Sequence, residues 1–233
     1  MSKQKPKEVK TQQQFENIEE TLTKTEEFIV HNQKTLTIVV IVLVAIVLGF
    51  FGVKKYYIEP KNKEAEEQIY PAQRYFEADS LDKALYGDGN SMGFVYIAKN
   101  YSMTKAGNLA KYYAGISFLK KGDFDQAISY LSDFDADDEI VAPMAKGALG
   151  DAYLEKGDRA KAVSAYKSAA TDDENEFTSP LFLLKAGELY ELMGQYDDAV
   201  DAYTIIKEKY FKSQEARNID KYIARAKAAG KTK

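Results

Sequence analysis

The sequence predicts an all-α protein in which one membrane-spanning helix precedes a stack of antiparallel helix pairs. Two observations predict this fold. A run of 19 uncharged residues begins at Thr35 and ends at Val53, and it is apolar enough to cross a bilayer. Further along the chain, glycine and alanine recur in three copies at one spacing. The predicted order is a basic tail (1–14), an amphipathic helix (15–34), the span (35–53), a linker with a degenerate repeat (54–106), three repeats (107–211) and a capping helix with a tail (212–233).

The apolar run has the length of a helical span. Nineteen helical residues extend about 28 Å, close to the roughly 30 Å hydrocarbon core of a bilayer. A single span must be helical, in spite of its many β-branched residues, because lipid offers no partner to free backbone groups. Phe50, Phe51, Tyr56 and Tyr57 are expected near the interface as an aromatic belt. The alternatives fit less well: a signal peptide has a shorter apolar core that ends in small residues, and a soluble core helix is rarely apolar on all faces.

The residues that flank the run bear on its orientation. Lys54, Lys55, Lys61 and Lys63 follow it, whereas the lysines before it are opposed by glutamates. The positive-inside rule alone therefore favours a cytoplasmic C-terminal domain, although long domains can translocate regardless of flanking charge.

The N-terminal segment divides into two parts. Residues 1–14 are polar and rich in lysine, which predicts disorder. Apolar residues then recur at helical spacing through 15–29, which predicts an amphipathic helix on the membrane surface. A short partner-binding helix or coiled coil is the alternative.

The composition excludes several classes of function. The net charge of −4 argues against nonspecific nucleic-acid binding, which needs a basic face. The chain has no cysteine, hence no disulfide and no thiolate nucleophile or metal ligand. Its single histidine, His31, lies beside the apolar run, so neither a catalytic triad nor a two-histidine zinc site is expected in the folded domain. We therefore expect no catalytic residues, no metal site and no cofactor.

The repeats share one register. In each copy a glycine is followed seven residues later by a second glycine, and five residues after that by an alanine. The copies lie 35 and 37 residues apart. The positions are Gly115, Gly122 and Ala127, then Gly150, Gly157 and Ala162, and finally Gly187, Gly194 and Ala199.

Each repeated position has a physical reason. A glycine in mid-helix costs about 1 kcal/mol relative to alanine, so its recurrence indicates that another helix approaches closely there. The second glycine ends the first helix in the left-handed conformation, and the alanine permits a close crossing of the second helix. Bulky residues are expected to fill the space between paired helices, namely Phe118, Tyr153 and Tyr190 on first helices and Leu131, Tyr166 and Tyr203 on second helices.

The linkers and flanks agree with this pattern. Pro143 and Pro180 each precede a predicted first helix, where proline is well tolerated. The acidic runs 135–139 and 172–176 are predicted to be solvated loops, since they lack the ligand pattern of a calcium loop.

A degenerate copy precedes the repeats, with a break at 87–89 and a further helix at about 94–103. Its matching positions are Ala72, Tyr75, Leu81 and Ala84. The last amphipathic helix is marked by Ile219, Tyr222, Ile223 and Ala226.

This spacing resembles the tetratricopeptide repeat family over about 107–211, although the first helices lack a tryptophan near their start. The resemblance implies a right-handed α-solenoid whose concave face, lined by the first helix of each pair, binds proteins. The apolar and acidic residues placed there suit an extended peptide with apolar and basic side chains: Tyr112, Ile116, Leu119, Met144, Asp151, Glu155, Leu181, Leu184, Glu188 and Glu191. The alternative is that Ile116, Leu181 and Leu184 belong to the core. A basic clamp for a carboxylate tail is not supported, because the corresponding positions are Tyr112, Tyr113, Ile116, Ala148 and Asp151.

The complete layout resembles the YfgM-like ancillary subunit family of the bacterial Sec translocon. The matching residues are Phe28, Asn32, Lys34 and Leu36 before the span and Tyr56 and Tyr57 after it. The resemblance implies an inner-membrane protein with a periplasmic repeat domain, whose partners are the Sec translocon and a membrane-anchored chaperone. One alternative is a cytoplasm-facing scaffold in signalling or in cell-shape and envelope assembly. An enzyme would need an acid–base site, for which Asp151 and Glu155 are the remaining carboxylate pair.

Overall fold

The computed structural model describes residues 29–135 and 138–231. Within these residues the regular elements are helices, accompanied by one isolated bridge between Gly87 and Met92, which confirms the predicted all-α fold class. The chain divides into two compact units, Met1–Tyr57 and Ile58–Lys233. The predicted basic tail and most of the predicted amphipathic helix lie outside the described residues.

The first unit contains helix α1, Gln33–Val53, in which no residue is buried. The helix begins two residues before the predicted span and ends where that span ends. The one candidate membrane span among the described residues begins at Gln33, and it is long and apolar enough to cross a bilayer. A π-helical turn, Lys54–Ile58, follows α1 in the chain.

The second unit begins with α2 (Glu59–Glu77), α3 (Leu81–Tyr86) and α4 (Phe94–Asn100). Ala72 on α2 and Ala84 on α3 are fully buried at the positions where the later pairs have glycine and alanine. Between them Asp79 has a φ of 54°, the left-handed conformation that glycine has in the later pairs. The stretch that corresponds to a second helix is broken by the loop 87–93, and α4 ends three residues before the predicted limit.

Three helix pairs and a last helix follow. The pairs are α5 (Lys105–Lys121) with α6 (Phe124–Ser132), α7 (Val141–Glu155) with α8 (Arg159–Thr171), and α9 (Thr178–Leu192) with α10 (Tyr196–Lys209). A 3₁₀ turn, Glu215–Asn218, then leads into α11, Ile219–Lys231. Each of these helices packs against the next one in the chain, so the pairs form one stack.

The first glycine of each pair lies under a bulky residue of its own second helix. A Cβ added at Gly115 would lie 2.6 Å from Cγ of Leu131, and one added at Gly150 would lie 2.6 Å from Cε1 of Tyr166. At Gly187 it would lie 2.8 Å from Cδ1 and Cζ of Tyr203, and closer still to Cε1. The structure therefore confirms that glycine is required at this position for close approach.

The second glycines and the alanines also behave as predicted. The φ angles of Gly122, Gly157 and Gly194 are 79°, 82° and 73°, and each glycine follows the last turn of a first helix. Ala127, Ala162 and Ala199 are completely buried on the second helices. In the first two pairs an aspartate follows the glycine, and its side chain caps the second helix by accepting from a backbone N–H three residues on.

Some expectations about the helix starts and bulky residues need correction. Pro143 and Pro180 lie at the third positions of α7 and α9 rather than before these helices, and both are fully buried. Proline fits there because a backbone N–H in the first turn has no intrahelical acceptor to lose. Phe118 is 4% exposed, as expected of a core residue, but Tyr153 and Tyr190 are only partly buried.

The last helix closes the stack. Ile219 and Ala226 of α11 are buried, Tyr222 and Ile223 pack at the edge of the same core, and α11 lies against α10. The opposite side of α11 carries exposed polar residues, as a terminal repeat element requires for solubility.

Candidate functional site

The ten residues predicted for the concave face all lie on the first helices α5, α7 and α9, and none of them is buried. Met144, Glu155 and Glu188 are exposed, and the other seven are half-buried. The alternative assigned Ile116, Leu181 and Leu184 to the core, and the structure leaves each of these three side chains half-buried. Leu181 and Leu184 pack at the edge of the core around α9 and α10, whereas Tyr112, Ile116 and Leu119 pack around the junction of α6 and α7.

One cleft is formed by all three first helices. It has a volume of about 550 Å³ and brings together Leu119 of α5, Asp151 and Glu155 of α7, and Lys185 of α9. Three of the ten predicted residues therefore meet in one place, while the other seven do not line this cleft. The remaining lining residues are Lys120, Lys121, Gly122, Phe124 and Leu154.

Leu154 and Lys185 were missed by the sequence prediction. Leu154 lies four residues after the first glycine of its pair, which is the position of Leu119 and Glu191 in the other pairs. The repeat register could therefore have predicted that Leu154 belongs with the candidate residues. Gly147 was also missed. A Cβ added there would lie 2.8 Å from Cδ1 of Phe182 and closer still to Cε1 and Cζ, so α7 is approached by α9 as well as by α8.

Asp151 joins three helices. Its Oδ1 accepts a hydrogen bond from the Tyr166 hydroxyl of α8 at 2.6 Å and one from Nζ of Lys185 of α9 at 2.7 Å. The Lys185 ammonium also lies 5.4 Å from the centre of the Tyr166 ring. Burial, followed by the hydrogen bond to Asp151, raises the pKa of Tyr166, so the phenol stays a donor. We call this group the Asp151 clasp (Asp151, Tyr166, Lys185).

A second clasp repeats this arrangement one pair later. The Glu191 carboxylate of α9 accepts from the Tyr203 hydroxyl of α10 at 2.7 Å and from Nε and Nη2 of Arg225 of α11 at 2.9 and 2.8 Å. Burial opposes ionisation of Glu191, but the hydrogen bonds from Arg225 and Tyr203 outweigh it and lower its pKa. We call this group the Glu191 clasp (Glu191, Tyr203, Arg225). Two of the four predicted acids, Asp151 and Glu191, therefore hold successive helices together.

The charges in the cleft are compensated unequally. Lys120 pairs with Asp79 at 2.8 Å, Lys121 pairs with Asp82, and Lys185 pairs with Asp151. Glu155 is exposed and has no cation partner in the part of the chain that the structure describes. The cleft thus combines the apolar side chains of Leu119, Leu154 and Phe124 with one uncompensated negative charge.

The loop 87–93 is a turn, as predicted, and Asp88 holds it together. The Asp88 carboxylate accepts from the Tyr75 hydroxyl at 2.7 Å, from the Ser91 hydroxyl at 2.8 Å and from the backbone N–H groups of Asn90 and Ser91. These hydrogen bonds, the one from Tyr75 being the strongest, hold the pKa of Asp88 well below its usual range.

Comparison with known proteins identifies the helix pairs. Residues 112–177 and 148–210 each match the family model described as tetratricopeptide repeat. The two matched stretches overlap, and together they run from within α5 to the end of α10. A search of curated proteins finds no match to this chain.

Proposed function

Because residues 112–210 are tetratricopeptide repeats, which serve as protein–protein interaction scaffolds, we propose that this chain holds a partner protein at the bacterial inner membrane. The observation that carries the proposal is the cleft shared by α5, α7 and α9. Three successive first helices open onto one volume of about 550 Å³, whose lining combines three apolar side chains with charged groups, among them one carboxylate that has no cation partner within the described residues. Such a surface can receive a short stretch of extended chain.

The chemistry of the cleft defines the partner segment. An apolar side chain of the partner would lie against Leu119 and Leu154, where contact removes apolar surface from water at about 25 cal/mol per Å². A lysine or arginine next to it would approach Glu155, which has no cation partner among residues 29–135 and 138–231. We therefore assign the cleft to segments that carry apolar and basic side chains in alternation.

A peptide titration tests this assignment. Two 12-residue peptides with the same leucines, one carrying arginine and the other glutamate, are titrated against the full chain in nanodiscs by fluorescence anisotropy. We expect the arginine peptide to bind, and Glu155→Lys to weaken its binding about tenfold, because the reversal at this exposed position removes an attraction of up to about 1 kcal/mol and adds a like-charge repulsion of similar size. Asp201→Lys, an exposed aspartate on α10, is the matched control. Equal binding of both peptides, or equal effects of both substitutions, rejects the assignment.

The membrane placement rests on α1, which buries none of its residues and is apolar over about the length of a bilayer crossing. We place the repeat domain in the periplasm, next to the Sec translocon and a membrane-anchored chaperone. The support for this is the resemblance of the layout and of residues around the span, among them Asn32 and Tyr56, to the YfgM-like family. Affinity purification after in vivo crosslinking should recover these partners, and recovery of neither contradicts this part of the proposal.

A cytoplasm-facing scaffold is the second candidate, and one observation favours it. Lys54, Lys55, Lys61 and Lys63 place more positive charge after the span than before it. Protease treatment of spheroplasts separates the two placements. A C-terminal tag that is digested in intact spheroplasts supports the periplasmic placement, and a tag that is digested only after permeabilisation supports the cytoplasmic one.

A further inference from the structure

The C-terminal end of the stack carries positive charge that the described part of the chain does not neutralise. Lys207, Lys209 and Arg225 pair with Asp220, Glu174 and Glu191. Five other cations are exposed and have no carboxylate partner within residues 29–135 and 138–231: Lys212, Arg217, Lys221, Lys227 and Lys231. Glu176 and Glu215, which line one cavity with Lys212, offset only part of the charge.

Two aromatic rings are exposed at the same end. Phe177 is 79% exposed and Phe211 is 65% exposed, and both line a cavity of about 690 Å³ together with Lys212, Ser213 and Gln214. The Lys212 ammonium lies 5.5 Å from the centre of the Phe211 ring, so a cation without a carboxylate partner among the described residues and exposed apolar area adjoin here. Exposed apolar area that adjoins charge in this way is typical of a surface that binds a partner.

We propose that this end of the molecule, the basic–aromatic platform (Phe177, Phe211, Lys212, Arg217 and Lys221), binds the anionic headgroup surface of a lipid bilayer. Cations attract anionic headgroups, while aromatic rings enter the boundary between headgroups and acyl chains. A bilayer offers anionic headgroups and an apolar interior at one surface, whereas an acidic protein would need apolar side chains placed to match both rings, and the bilayer therefore fits better.

The proposal rests on the proposed anchoring of the chain by α1. In a chain anchored by α1, the platform and the bilayer are held together by one molecule, which gives the platform a high effective concentration at the lipid surface. Each lysine or arginine near an anionic surface strengthens binding about fivefold. Reversal of three platform cations should therefore weaken the contact at least about 100-fold, enough to abolish it.

Site-specific quenching in the full chain provides the test. The chain has no cysteine, so Gln214→Cys carries a single fluorophore at the cavity. The labelled chain is placed in nanodiscs that contain doxyl-labelled lipid, with either anionic phosphatidylglycerol or only phosphatidylcholine. We expect strong quenching in the anionic discs, less quenching as salt is added, and little quenching in the neutral discs.

Two triple variants identify the groups responsible. Lys212→Glu/Arg217→Glu/Lys221→Glu should lose the quenching. Lys99→Glu/Lys105→Glu/Lys167→Glu, which makes the same charge change at three other exposed lysines, should keep it. Circular dichroism confirms that both variants are folded.

Three results would overturn the inference: equal quenching in both kinds of disc, no quenching in either, or quenching that survives in the platform variant. If the probe responds to added polyglutamate but not to lipid, the partner is an acidic protein and the bilayer assignment is wrong. Failure of the anchoring proposal gives a different result from failure of the platform inference. If α1 does not anchor the chain, the chain separates from the discs during gel filtration at high pH.

Discussion

The close approach at Gly187 can be tested by adding one methyl group. In Gly187→Ala the new Cβ would lie 2.8 Å from Cδ1 and Cζ of the Tyr203 ring, which is completely buried and tied to Glu191 through its hydroxyl. The substitution stabilises the helix by about 1 kcal/mol, because alanine has a higher helix propensity than glycine. It costs about 1–3 kcal/mol of overpacking and about 1 kcal/mol from a weakened hydrogen bond. We expect a net loss of about 1–3 kcal/mol.

Thermal and urea denaturation followed by circular dichroism measure this loss. For a chain of this length the melting temperature should fall about 2–12 °C, at about 2–4 °C per kcal/mol. Gly230→Ala is the comparison variant, because its added Cβ would meet Cβ of Tyr196 at 3.3 Å, a mild overlap that a shift of a few tenths of an ångström relieves, and it should lower the melting temperature less than Gly187→Ala does. Gly187→Ala/Tyr203→Ala should show a favourable coupling of about 1–2 kcal/mol. An unchanged or raised melting temperature for Gly187→Ala would refute the packing argument.

Three further predictions concern the clasps and one turn. Tyr166→Phe should lower the free energy of unfolding by about 1 kcal/mol, measured in urea, because Asp151 loses a donor; no change would show that water replaces the hydroxyl. Gly122→Ala, at a φ of 79°, should cost about 1–2 kcal/mol, and an equally stable variant would contradict the left-handed turn. The pKa of Glu191 is lowered from 4.5, so its ionised form stabilises the fold above that pH and the contribution is lost as the pH falls below it. Glu191→Gln should therefore show a flatter loss of stability in acid titrations, and a curve parallel to that of the parent would exclude the clasp.

The helix pairs could be predicted from sequence because each copy repeats a local requirement. A glycine must face a bulky residue, a second glycine must turn left-handed, and an alanine must be buried. Three copies in one register make chance agreement improbable. The pair before them was harder to recognise, because Asp79 takes the left-handed position of the glycine. Its signal was the spacing, since Asp79 lies seven residues after Ala72 and five before Ala84.

The details of the candidate site were less predictable. Periodicity places Asp151 and Glu191 on first helices, but it does not show that each carboxylate is engaged by a tyrosine and a cation of other helices. In both clasps the cation lies 34 residues after the acid, about one repeat length, so a search for acid–cation pairs at that separation would have found them. Periodicity also does not show which of the ten predicted residues meet in space. Only Leu119, Asp151 and Glu155 line the shared cleft.

Photo-crosslinking in living cells tests the central claim most directly, namely that the cleft of the first helices receives a partner protein. A benzophenone amino acid replaces Leu154 in the cleft or Asp201 on the exposed side of α10. We expect discrete protein adducts from position 154, their loss when Glu155→Lys is added, and none from position 201. Adducts of equal pattern from both positions, or none from position 154, would contradict the claim.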